Sequence, residues 1–154
     1  MMLPALSVKQ PWASLIHSGR KWIETREWVT RYRGPLVICS SKLPVGQGPT
    51  GVALCVRFLR HCEEMTKAHE AGACCELYRN ARSWIFAEDR RIDLNWFKVR
   101  GQRGIFPLLV PDGAFFSPED RLRAYKWLDW AKEKGMLDRI RNGWNHEDHG
   151  GQGE

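Results

Sequence analysis

The chain has 154 residues, enough for one domain with a sizeable core, and its 43% hydrophobic and 27% charged content is that of a globular protein. A net charge of +6 favours an anionic partner, and nucleic acid is the commonest. No apolar run is long enough to span a bilayer, and the opening MMLPALSVKQ lacks the charged start and apolar core of a signal peptide, so no membrane partner is expected.

In chain order, ALSVK (5–9) reads as a short strand. Pro11 suits the first turn of a helix, where its missing N–H costs nothing, and Trp12, Leu15 and Ile16 share one helical face. Gly19 is placed to cap that helix. Residues 21–28 alternate as a strand: Trp22, Glu24, Arg26 and Trp28 on one face, Lys21, Ile23, Thr25 and Glu27 on the other. A basic turn, TRYRG, leads into the apolar strand PLVICSS. A Gly- and Pro-rich loop (44–50) precedes the long strand GVALCVRFLRHC (51–62).

Residues 64–78 predict a helix, weakened by Gly72. SWIFAEDRRIDL and WFKVRGQRGIFPLLV predict two strand regions with a turn or loop between them. Ser117 predicts an N-cap, with Pro118 at the first helical position and Glu119 and Asp120 complementing the helix dipole. Gly135 marks a stop, a second short helix follows from Met136 to Arg141, and residues 143–154 read as a flexible tail. The order β-α-β-β-β-α-β-β-α predicts an α+β fold: a small, partly open mixed β-barrel with helices at its margin.

The five cysteines are odd in number and form no CxxC pair, which argues for reduced thiols in a cytoplasmic protein. His61, Cys62, His69, Cys74 and Cys75 cluster in sequence, yet their spacing fits no common ligand pattern. Neither a metal nor another cofactor is expected.

The positive charge is concentrated. Residues 20–42 and 79–103 each carry a net +4, whereas 61–76 is acidic. Two basic segments of one small barrel can merge into a patch that tracks a phosphate backbone, or can point apart and only solubilise the fold. Trp12, Trp22, Trp28, Tyr32, Trp84 and Trp96 lie among these charges. Base stacking on aromatics, with Arg or Lys on phosphates, is how proteins hold single strands. Most tryptophans pack in cores, so at most one or two of these are expected at a ligand.

ALSVKQPWASLIHSGRKWIETREW, followed by YRGPLVICSSK, resembles the ASCH domain of the PUA-like superfamily. The match rests on a G-x-K-x-x-E-x-R motif (Gly19, Lys21, Glu24, Arg26), on QPWA at 10–13 and YRGP at 32–35, and on Arg100, Gly101 and Gly104 before the closing strand. It covers roughly residues 3 to 110, so residues 1–112 are expected as the PUA-like domain and 113–142 as an added helical extension of it. The resemblance implies a β-barrel with a nucleic-acid or nucleotide cleft beside the first helix.

Lys21, at the turn after Gly19, can reach a phosphate or a base oxygen. Glu24 can accept from an exocyclic amine, and Arg26 can pair with Glu24 or clamp a phosphate. Regular alternation sets Lys21 opposite Glu24 and Arg26, so a shared site requires a twist near Trp22 or a Lys21 that precedes the regular strand. The expected binding surface comprises Lys9, Gln10 and Trp12, the motif residues Lys21, Glu24 and Arg26, Arg31 and Arg33 of the basic turn, Ser41 and Lys42, and Arg100.

The expected partner is RNA, single-stranded DNA or a nucleoside, with a modified base as one candidate target, and the expected state is a monomer. A branch of the family resembles amidohydrolases acting on N4-acylated cytidine through Lys, Thr and Glu. Here position 24 is glutamate where that branch carries its Thr, and Thr25 is expected to face away, so binding leads. The alternative is a small hydrolase on N4-acylated cytidine or RNA, using Lys21, Glu24 and Thr25. A third reading gives the C-terminal helix an interaction role, with Trp127 and Trp130 as anchors.

Overall fold

The computed structural model describes residues 1–140. The strands are β1 (Met2–Val8), β2 (Ile23–Arg26), β3 (Gly34–Ser40), β4 (Val52–Glu64), β5 (Arg82–Lys98) and β6 (Ile105–Leu109), and the helices are α1 (Trp12–Ser18), α2 (Glu70–Ala73) and α3 (Pro118–Glu133). They build one mixed sheet in the order β2-β5-β4-β3-β1-β6, in an α+β arrangement consistent with the PUA-like fold. Among the described residues only β1 and β3 pair in parallel, the connection between them passing through α1 and β2. The sheet is curled but not closed, for β2 and β6 are its two edges.

β3 is buried at all seven positions, because it is paired on both sides and both α1 and α3 pack against it. Leu36, Val37 and Ile38 share one core with Leu6, Ile16, Val56 and Phe86. Ala124, Leu128 and Ala131 place α3 in that same core. Its start follows the sequence: Ser117 Oγ accepts from the Asp120 N–H at 3.1 Å, with Pro118 at the first position. Trp127 and Trp130 lie edge-on to Phe58, with centroids 5.9 and 5.2 Å away.

Four elements differ from expectation. The strand expected over 21–28 is regular only over Ile23–Arg26. The two strand regions expected from Ser83 onward are one strand as far as Lys98, since pairing with β4 continues through Phe97 and Lys98. The polar run after Phe86 is absorbed as a bulge: between Arg57↔Arg91 and Leu59↔Phe86, β4 advances two residues and β5 five. The helix expected over 64–78 shrinks to a 3-10 turn, Lys67–His69, and the four-residue α2. β4 runs on to Glu64, and Cys74 at φ 57° ends the helix in the left-handed region. The second C-terminal helix is a 3-10 turn, Leu137–Arg139. Arg141 and the tail expected from 143 onward lie outside the described residues.

Candidate functional site

The curl of the sheet leaves a seam where β2, at one edge, approaches β1, next to the other edge. Arg26 crosses that seam. Its Nε donates to Glu24 Oε2 at 2.9 Å, and its terminal guanidinium nitrogen donates to the Ser7 carbonyl at 2.7 Å. A cleft of about 660 Å³ opens beside this bridge.

The first helix sets one wall. Gly19 ends α1 at φ 88°, a conformation that favours glycine, and its N–H donates to the Ile16 carbonyl. The buried Arg57 donates to that same carbonyl at 2.9 Å and so ties the end of α1 to β4. Lys21 follows two residues after Gly19 and lies before the regular strand. Its side chain therefore escapes the alternation of β2 and meets Glu24, with Nζ 3.7 Å from Glu24 Oε1. Lys21 is only 1% exposed and also donates from Nζ to the Ala73 carbonyl. Burial pushes its ammonium below the usual lysine range, while the Glu24 carboxylate pulls it back up. Glu24, 7% exposed, is thus held between two cations.

α2 completes this floor. The Gly72 carbonyl accepts from the Trp22 N–H at 2.9 Å, and the Trp22 ring covers Gly72 so closely that a Cβ there would lie 2.6 Å from it. Trp28 forms another wall, fixed by the fully buried Trp84. The two rings meet edge to face at 4.7 Å, and Trp84 Nε1 donates to the Trp28 carbonyl. Of the six aromatics singled out in sequence, Trp12 and Trp28 line the cleft, while Tyr32 and Trp84 are core residues.

Lys9, Trp12, Lys21, Glu24, Arg26 and Ser41 therefore converge on one cleft. Lys42 and Arg100 line an adjoining groove. Gln10 is buried, and its amide is engaged by Ser14 and the Pro49 carbonyl. Arg31 borders a different depression, and Arg33 is tied to the Thr30 and Tyr32 carbonyls. The two basic segments merge in part: Lys42 meets Lys98, Arg100 and Arg103, whereas Arg90 lies over Phe58 and Arg91 pairs with Asp93.

Thr25 departs from expectation, for it lines the same cleft as Lys21 and Glu24. β2 is an edge strand of four residues and the cleft opens along that edge, so alternation does not exclude Thr25. Its hydroxyl lies 3.9 Å from Cys75 Sγ. Cys75, Tyr78, Ser7, Gln102 and Arg103 also line the cleft. Nothing in their sequence spacing marks them, although Gln102 and Arg103 fall inside the Arg100–Gly104 element.

Elsewhere, Ser83 Oγ lies 2.8 Å from His69 Nδ1, and His69 Nε2 lies 3.2 Å from Glu63. The Ser83–His69–Glu63 series cannot deliver a nucleophile, because Ser83 is fully buried and Nδ1 already accepts the Thr66 N–H. Among the described residues, no three His, Cys, Asp or Glu side chains are grouped to hold a metal, and no helix is long and apolar enough to cross a membrane.

A family model described as the ASCH domain matches residues 6–98. No curated protein matches the sequence. Among solved structures, ASCH from Zymomonas mobilis is similar with 12% identity and a TM-score of 0.42, over 80% of this chain and 93% of that one. A Tyr→Phe mutant of the Zymomonas mobilis protein gives 12% identity and a TM-score of 0.46, over 80% of this chain and 96% of that one.

Proposed function

We propose that this chain, which belongs to the ASCH domain family, is a nucleic-acid-binding module that takes an unstacked base of RNA or single-stranded DNA into the seam cleft. One observation carries this reading: a buried carboxylate, Glu24, fixed by Lys21 and Arg26 inside a cleft walled by Trp12 and Trp28. The tryptophans offer faces on which any base can stack. Glu24 offers an oriented acceptor for an exocyclic amine, and Lys21 and Arg26 hold it in place so that little reorganisation accompanies binding. The cleft volume of about 660 Å³ suits a nucleobase with its sugar.

Titration of the protein with single-stranded RNA, single-stranded DNA and duplex, followed by tryptophan fluorescence, tests the reading. A single strand should quench the emission saturably and the duplex should not, because a paired base cannot enter the cleft. Equal response to duplex and single strand would remove the base-in-cleft reading.

A hydrolytic alternative is favoured by one feature, the presence of Thr25 beside Lys21 in the cleft. Against it, the Thr25 hydroxyl lies against the Cys75 thiol rather than a base. Incubation with N4-acetylcytidine decides between them. Turnover that disappears in Thr25→Val would replace the binding reading with the hydrolase, and no turnover leaves binding in the lead.

A further inference from the structure

The cleft is half of a larger recess. Ser7, Ser41, Gln102 and Arg103 line it and also line a second groove of about 820 Å³, so these four residues form a shared ridge. The groove is charged differently from the cleft. In the cleft, Lys21 and Arg26 are both engaged by Glu24. The groove collects Lys42 from the end of β3, Lys98 from the end of β5, and Arg100 and Arg103 from the β5–β6 connection. All four are exposed, no carboxylate lines the groove, and none of the four is in an ion pair among the described residues. The strongest attraction for phosphate therefore lies outside the cleft, next to it.

The ridge is where the β5–β6 connection packs onto β1. Ser7 Oγ and Gln102 Oε1 are both buried without a hydrogen-bond partner. Such atoms are rare in folded proteins because each has given up water for nothing. Gly101 passes close over this point, and a Cβ on it would stand 2.7 Å from Ser7 Oγ. The connection thus approaches Ser7 as closely as a glycine allows.

We propose that this groove holds the phosphates flanking the base in the cleft, the strand passing over the ridge of Ser7, Ser41, Gln102 and Arg103. The inference rests on the reading of the cleft given above and narrows it: the ligand is a polynucleotide strand rather than a free nucleoside. Recognition divides accordingly. The cleft selects the base, while the groove supplies affinity that is indifferent to sequence and sensitive to salt.

The test uses anisotropy of a labelled single-stranded RNA of about eight nucleotides, titrated with the full chain at several salt concentrations. The variant is Lys42→Ala/Arg100→Ala/Arg103→Ala, compared with Lys126→Ala/Lys132→Ala/Lys134→Ala on or just after α3, which changes the net charge equally. For single strands each lost phosphate contact lowers the slope of log K against log salt by about 0.7, so the groove variant should lose roughly 2 from its slope. The α3 variant should match the wild type. An unchanged slope in the groove variant, with the wild type still binding RNA, overturns the groove and leaves the cleft reading intact. If the wild type binds no RNA at any salt concentration, the cleft reading falls and the groove falls with it.

Discussion

Arg26 ties Glu24 to the carbonyl of Ser7, and so joins an edge strand of the sheet to a strand near the opposite edge. One guanidinium does what sheet pairing does elsewhere: it holds the seam at a fixed width. It also keeps the Glu24 carboxylate oriented toward the cleft.

Arg26→Ala should therefore cost stability as well as binding. It removes charge-assisted hydrogen bonds and leaves a nearly buried carboxylate with Lys21 as its remaining ion-pair partner. A loss of about 1–3 kcal/mol is expected in denaturant unfolding. Arg26→Lys should recover only part of it, since a point-like ammonium cannot serve Glu24 and Ser7 with the same fork. Full recovery by lysine would show that charge alone, not the bridge, is what matters.

Gly72→Ala tests the support of the site from outside it. The added methyl meets the Trp22 ring at 2.6 Å, within a contact already fixed by the Trp22 N–H bond to the Gly72 carbonyl. Overpacking of this kind costs about 1–3 kcal/mol. The neighbouring Ala73 carbonyl holds Lys21, so affinity for single-stranded RNA should fall with stability although no cleft side chain is changed. Calorimetric unfolding and binding measured together check this, and a stable variant with reduced affinity would contradict it.

Lys21 supplies a pH dependence. Its burial lowers its pKa from the ordinary 10.5, so the ammonium loses its proton earlier on an alkaline titration than an exposed lysine does. Affinity for an anionic strand should therefore decline as pH rises through that lowered value, and Lys21→Arg should flatten this part of the profile. The stability effect has the opposite sign. With the folded pKa below the unfolded one, the unfolded state binds more protons between the two values, and this group's contribution to stability increases with pH there. An affinity profile that is the same for wild type and Lys21→Arg would remove Lys21 from the site.

The cysteines give a footprint. Burial pushes the Cys55 thiol up to about 12 and Cys39 higher still, so both should resist iodoacetamide at neutral pH in the folded protein. Cys74 and Cys75 are half-buried, and Cys75 lines the cleft. Bound RNA should protect Cys75 more than Cys74, which fragment-ion mass spectrometry can resolve. Equal protection would place the ligand elsewhere.

Much of the frame can be read from local signals. Ser117, Pro118 and Gly19 mark helix ends because capping is decided within a few residues. The continuity of β5 cannot be read this way, because a bulge after Phe86 looks like any polar turn until β4 is known to pair beyond it. α2 ends at the left-handed Cys74 and packs against Trp22, fifty residues away in sequence, a contact no local pattern shows. The same distinction divides the site. Lys21, Glu24 and Arg26 lie in one motif, and the alternation rule sets the lysine apart only because it treats as strand a residue that precedes it. Ser7, Tyr78, Cys75 and Arg103 come from three further parts of the chain and meet only when the sheet curls. Arg57, which no motif or spacing singles out, is buried at the end of α1.

The measurement that bears most directly on the cleft is the affinity of single-stranded RNA for wild type, Lys21→Ala and Glu24→Gln at fixed pH and salt. Glu24→Gln preserves shape while removing the charge that Lys21 and Arg26 hold, and Lys21→Ala removes one of the two holders. Loss of a hydrogen bond to a charged group corresponds to an affinity reduced by about 10- to 100-fold, and a loss of that size is expected in both variants. Wild-type affinity in both, in variants that remain folded, would contradict the assignment of this cleft to nucleic acid.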